Sequence, residues 1–185
     1  MHAYDSTHGS LPPHAVYGKD GTPMLSWRVL ILPFIEQNDL YMKFRLDEPW
    51  DSPHNLALLP EMPKVYGRYD NGPTTEPYTT FYQVFVGKGA AFEGKEGMKL
   101  AADFPDGTSN TFLIVEGGSA VPWTNPADLP YSRGEPLPEL GGLGKGTIRA
   151  ALADGSVRFM NRDTSEETIR AAITRNGGET LGSDW

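Results

Sequence analysis

The chain has 185 residues with 21 glycines, 16 prolines, no cysteine and a formal net charge of −8 at neutral pH. That length suits one domain, residues 1–185, with a core of its own. The charge argues against nucleic acid and anionic lipid as partners. The missing cysteines exclude disulfides, thiolate metal sites and thiol nucleophiles, and no apolar run approaches the ~20 residues of a membrane span.

The opening, MHAYDSTHGSLPPHAVYG, reads as a loop and holds His2, His8 and His14; the fourth histidine is His54. A metal-dependent hydrolase built on His2, His8 and Asp5 is the catalytic alternative here, without the i, i+4 helical pairing of zinc hydrolases. In SWRVLILPFIEQNDLYMKF, Trp27, Leu30, Ile31, Phe34, Ile35, Leu40, Tyr41 and Phe44 recur at helical spacing behind a Ser26 cap. Pro33 should kink or split that helix. SPHNLALLPEM suggests a short helix capped by Ser52, with Pro53 at its first position and Pro60 limiting its length.

TTFYQVFV, residues 79–86, and NTFLIVE, residues 110–116, read as strands covered on both faces. Between them, GAAFEGKE (89–96) matches the glycine and lysine spacing of a phosphate loop. Glu96 stands where that loop needs Ser or Thr, and no good helix start follows, so nucleotide binding is rejected. DFPDGTSNT offers Asp103, Asp106, Thr108 and Asn110 as oxygen donors in one tight turn, a set suited to calcium. The alternative is a turn held by its own side chains. Ser109 and Ser156 lie in turn contexts, and no G-x-S-x-G elbow occurs. Trp50, Tyr78, Trp123 and Tyr131 are loop aromatics that would either recognise a glycan or peptide or pack beneath the loops.

RAALADGSVRFM (149–160) predicts a hairpin whose two-residue loop is Asp154 and Gly155, both at positive φ. In that register Leu152 faces Val157 and Ala150 faces Phe159. Ile148, Ala150, Leu152, Val157 and Phe159 would share the core face, leaving Arg149 and Arg158 to solvent. Asp154 is then architecture and not chemistry. Last, TSEETIRAAITRNGG carries Thr164 and Glu167 at capping-box spacing, an Ile169, Ala172 and Ile173 stripe, Arg175 in the last turn and Gly177 as terminator. Helices flank a mainly antiparallel sheet with long Gly/Pro-rich loops: the fold class is α+β.

YDSTHGSLPP, LSWRVLILPFIEQNDLY, DEPWDSPHN, MPKVY, FYQVFVGKGAAFEG, DGTSNTFLIVE, AVPWTNPADLPY and ADGSVRFM occur here in this order. Together they resemble a large domain-of-unknown-function family of planctomycete surface proteins with a pilin-type N-terminal methylation segment, similar to type II secretion pseudopilins. The resemblance covers nearly all of the chain. It implies a pilin-like head whose long N-terminal helix is missing here and a non-enzymatic structural role at the cell surface, extracellular or periplasmic. It further implies a monomeric head and, as partners, other pilin-like subunits or secretion machinery reached through that helix. Calcium is the one cofactor it brings to mind, because pseudopilin heads often hold it in a loop; no other is implied. Many relatives place a histidine ten residues before the Asp of the Asp-Gly turn, where this chain has Gly144.

Overall fold

The structure, a computed structural model, describes residues 1–67, 76–143 and 146–185. The opening is not a loop: helix α1 (His2–His8) forms there and closes at Gly9. Tyr4 and His8, one turn apart, stack at 3.9 Å between ring centroids, a pairing that helical spacing creates. Strands β1 (Ala15–Tyr17) and β2 (Pro23–Ser26) pair antiparallel. Ser26 then caps α2 (Trp27–Leu30), its hydroxyl accepting from Arg28 N.

Pro33 does split the expected long helix. Lacking an N–H, it sits in the first turn of a 3-10 segment at residues 32–35, and Glu36 turns left-handed before α3 (Asn38–Tyr41). Ser52 caps α4 (Pro53–Leu56) as its sequence proposes.

The aromatic run at 79–86 breaks into β3 (Thr79–Gln83) and β4 (Phe85–Gly87). At the break, Val84 N donates to the carboxylate of Asp128. Then come β5 (Phe112–Pro122), β6 (Leu129–Tyr131), β7 (Thr147–Leu152), β8 (Val157–Asn161) and α5 (Glu166–Ile173). The cap of α5 is Ser165 and not Thr164, one residue later than the capping-box spacing suggests.

Four strands form an antiparallel sheet in the order β3-β5-β7-β8, while β4 and β6 pair in parallel. Phe112, Val115, Ile148, Ala150, Leu152 and Met160 of the sheet pack with Ile169, Ala172 and Ile173 of α5. A second apolar cluster gathers Trp27, Leu32, Phe44, Tyr66 and Trp123 beneath the short helices. The architecture is α+β, as its element pattern predicts.

The hairpin departs from expectation by one residue. Its pairs are Ala151 with Val157, Ala150 with Arg158, Arg149 with Phe159 and Ile148 with Met160. The loop therefore has three residues, Ala153 to Gly155, and only Gly155 takes a positive φ, of 87°. Gly155 N bonds Leu152 O and Leu152 N bonds Ser156 O, a tight turn followed by a left-handed glycine. Because strand side chains alternate with period two, this slip exchanges the faces of β8. Met160 is buried against Ile148, and Val157 and Phe159, expected in the core, are 62% and 64% exposed.

Candidate functional site

Three segments far apart in the chain meet at the hairpin tip. Ala153 N donates to Thr111 O at 2.8 Å and Asp154 N to Thr108 O at 3.0 Å, tying the tip to the DGTSN turn. His2 of α1 donates through Nε2 to Ala153 O at 2.8 Å. The acidic turn and the Asp-Gly turn, separate candidates in the sequence, are thus one joint. Within it Asp154 Oδ1 accepts from both the N–H and the hydroxyl of Ser156, at 2.8 and 2.6 Å. Those bonds hold the Asp154 carboxyl below its usual pKa. This is the chemistry of an Asx turn.

The four calcium candidates each make a hydrogen bond within the chain, Thr108 through its backbone carbonyl and Asn110 through its amide nitrogen. Asp103 Oδ2 accepts from Lys99 N at 2.7 Å, and Asp106 Oδ2 accepts from Gly178 N at 3.0 Å. Asn110 points its amide nitrogen at Asp106 O, 2.9 Å away, and Thr108 offers its carbonyl to Asp154. These bonds make a turn held by its own groups, and the one to Gly178 N also fastens the segment after α5. His2 and His8 have different neighbours: His2 bonds Ala153 O, whereas His8 Nδ1 donates to Tyr4 O and stacks on that ring beside Phe34. No group of three or more His, Asp or Glu side chains is placed to hold a metal ion among the described residues.

The phosphate-loop spacing folds onto its own carboxylate. Gly89 N donates to Glu93 Oε2, which also receives Arg175 Nη2 at 3.0 Å. Of the loop aromatics, Trp123 is fully buried, its indole N–H donating to Leu59 O and its ring stacked on Tyr66. Trp50 packs against the same cluster. Tyr78 is surface-exposed, with φ 60°, and Tyr131 is buried except where it lines an open cleft of about 670 Å³ with Lys88, Gly89, Arg133, Asn176 and Glu179. Gly144, the position of the relatives' histidine, lies outside the described residues.

The ionisable centre of the molecule was not among the residues that the sequence singles out. Arg28 and Asp128 form an ion pair at 2.9 Å with both side chains fully buried. Arg28 also donates to Tyr82 O and to the Ser26 hydroxyl, and Asp128 accepts from Val84 N and Trp27 Nε1. Burial pushes the Asp128 carboxyl up, and Arg28 pulls it back. A second buried carboxylate, Glu116 on β5, accepts from Leu143 N and Arg149 N. The available signal was the arginine inside the apolar run SWRVLILPF. Both carboxylates brace backbone at places where strands break or bend.

Comparison with known proteins bears on this arrangement through one match. No curated protein and no solved structure matches the chain. A family model described as protein of unknown function (DUF1559) matches residues 1–142, from α1 to the segment before β7, and the chain belongs to that family.

Proposed function

We propose that the chain is the globular head of a pilin-like or pseudopilin-like surface protein, structural and non-catalytic, carried by a helix that continues α1. The observation behind this reading is α1 itself. It is seven residues long and buries none of them, too short to be stable as an isolated helix. His2 nevertheless fastens it to the tip of the β7–β8 hairpin. A surface helix held at one end of an antiparallel sheet is what a pilin-like subunit requires. The motif resemblance supports the same reading. From it follow the finer statements: planctomycete origin, location at the cell surface or in the periplasm, and pilin-like subunits or secretion machinery as partners.

The test is the reading frame upstream of the Met1 codon. It should encode a short basic leader followed by roughly 20 or more apolar residues. A stop codon there, or a secretory signal with a cleavage site, sinks the reading.

The cleft at Tyr131 favours one alternative, an extracellular glycan- or peptide-binding module. It is lined by Lys88, Arg133, Asn176 and Glu179 together with the ring of Tyr131. Glycan-array binding by the parent, abolished by Arg133→Ala, would promote it.

A further inference from the structure

Strand β8 ends the four-stranded sheet. The bond from Leu152 N to Ser156 O sets the alternation of its ladder with β7. Ala150 with Arg158 and Ile148 with Met160 are therefore the hydrogen-bonded pairs, and the main-chain groups of Val157, Phe159 and Asn161 point away from β7. The side chains of Val157 and Phe159 stand open to solvent on the same stretch. Edge strands of soluble proteins are normally blunted by charge, proline or a bulge. The one charged residue of β8, Arg158, is instead turned to the opposite face, its guanidinium 4.3 Å from the centroid of the Trp185 ring.

We propose that this edge pairs with β8 of a second copy, antiparallel, about a two-fold axis at Phe159. That register sets Phe159 against its own copy and Val157 against Asn161, so the outward main-chain groups of one strand meet those of the other. Charge is complementary as well: Asp154 before β8 and Arg162 just after it are both exposed, and the antiparallel register brings each toward the other across the axis, while Asp154 keeps its bonds to Ser156 and Arg162 its bond to Gly141 O. Arg158 lies opposite Met160 and not opposite itself, so the protein's few cations do not collide at the axis. Phe159 is already held for this: the Arg149 guanidinium lies 5.7 Å from its ring centroid, and Arg149 in turn reaches the buried Glu116. A strand pair with two aromatic rings covers less than the ~800 Å² per partner of a standard interface, so the dimer is weak, with Kd of order 10⁻⁴ M. The pairing stands whether or not the head is carried on a longer helix.

Two measurements on the whole chain test it. Sedimentation velocity between about 20 μM and 1 mM should show a concentration-dependent dimer, and the Phe159 amide should become about fourfold more protected from hydrogen exchange over that range, as the monomer fraction falls. Phe159→Lys should leave a monomer throughout. Phe159→Pro should do the same, because an edge strand tolerates proline where its N–H faces outward. A chain that stays monomeric at about 1 mM with a fast-exchanging Phe159 amide overturns the proposal, even if an added extended peptide binds the edge. So does a dimer that survives Phe159→Lys. Exchange at Phe159 in the parent decides the matter even if a variant fails to fold.

Discussion

Arg28 and Asp128, one hundred residues apart in sequence, share a hydrogen-bonded ion pair from which solvent is excluded on both sides. The pair sits where β3 gives way to β4, and Asp128 supplies the acceptor that Val84 would otherwise lack. Two charges taken out of water gain little net stability together, yet each depends on the other.

Removing one partner should therefore be severe. Asp128→Ala leaves the Arg28 guanidinium buried without its counter-ion and should cost about 3 to 5 kcal/mol in urea unfolding. The double change Arg28→Met/Asp128→Leu should recover most of that. A single-variant loss below about 1 kcal/mol would mean that water reaches the guanidinium.

At the hairpin tip, Gly155→Val forces a β-branched residue to φ 87°, with its Cβ 2.9 Å from the His2 ring. The expected loss is about 1 to 3 kcal/mol. Asp154→Asn keeps the acceptor for Ser156 and should leave the melting temperature close to that of the parent. A marked drop for the asparagine variant would give the charge itself a role.

Asp184 accepts from the Thr168 hydroxyl and from Ser165 N, and those bonds lower its pKa to about 2 from an ordinary 3.8. A depressed carboxyl contributes stability that is present above its unfolded pKa and lost as pH falls through the folded one. The melting temperature of the parent should fall as pH drops from 3.8 toward 2, and Asp184→Asn should show a flatter acid limb. Parallel curves for the two proteins would remove Asp184 from the acid response.

For the DGTSN turn, the bonds from Gly178 and Lys99 predict a mechanical role. Asp106→Ala should cost no more than about 1 kcal/mol by releasing the segment after α5, since the exposed Gly178 N passes to water. Millimolar calcium should leave the melting temperature of parent and variant unchanged. A calcium-dependent rise in the parent, lost in Asp103→Ala/Asp106→Ala, would make the turn a cation site after all.

The hairpin shows how far the sequence carries. ADGS announces a turn, but an Asp-Gly pair fits loops of two residues and of three, and the residues on either side alternate plausibly in both registers. What decides is tertiary: Met160 fills space against Ile148, and Arg158 finds the ring of Trp185. The splitting of the first long helix was legible because proline acts locally. The α1 helix was legible in principle from the Tyr4 and His8 spacing, but its polar composition hid it. The joint itself was beyond reading, since the bonds from Ala153 and Asp154 run to the carbonyls of Thr111 and Thr108, which any residue possesses.

The His2 to Ala153 bond joins positions 151 residues apart, and it has a consequence for synthesis. At roughly 5 to 20 residues per second, α1 leaves the ribosome many seconds before its acceptor exists. Until the hairpin emerges, the helix has nothing to hold at that end, and the edge of β5 that will receive β7 stays open. The nascent chain thus passes through an interval in which α1 is free at its hairpin end and β5 is paired on one edge only, and completion of the last forty residues closes both together.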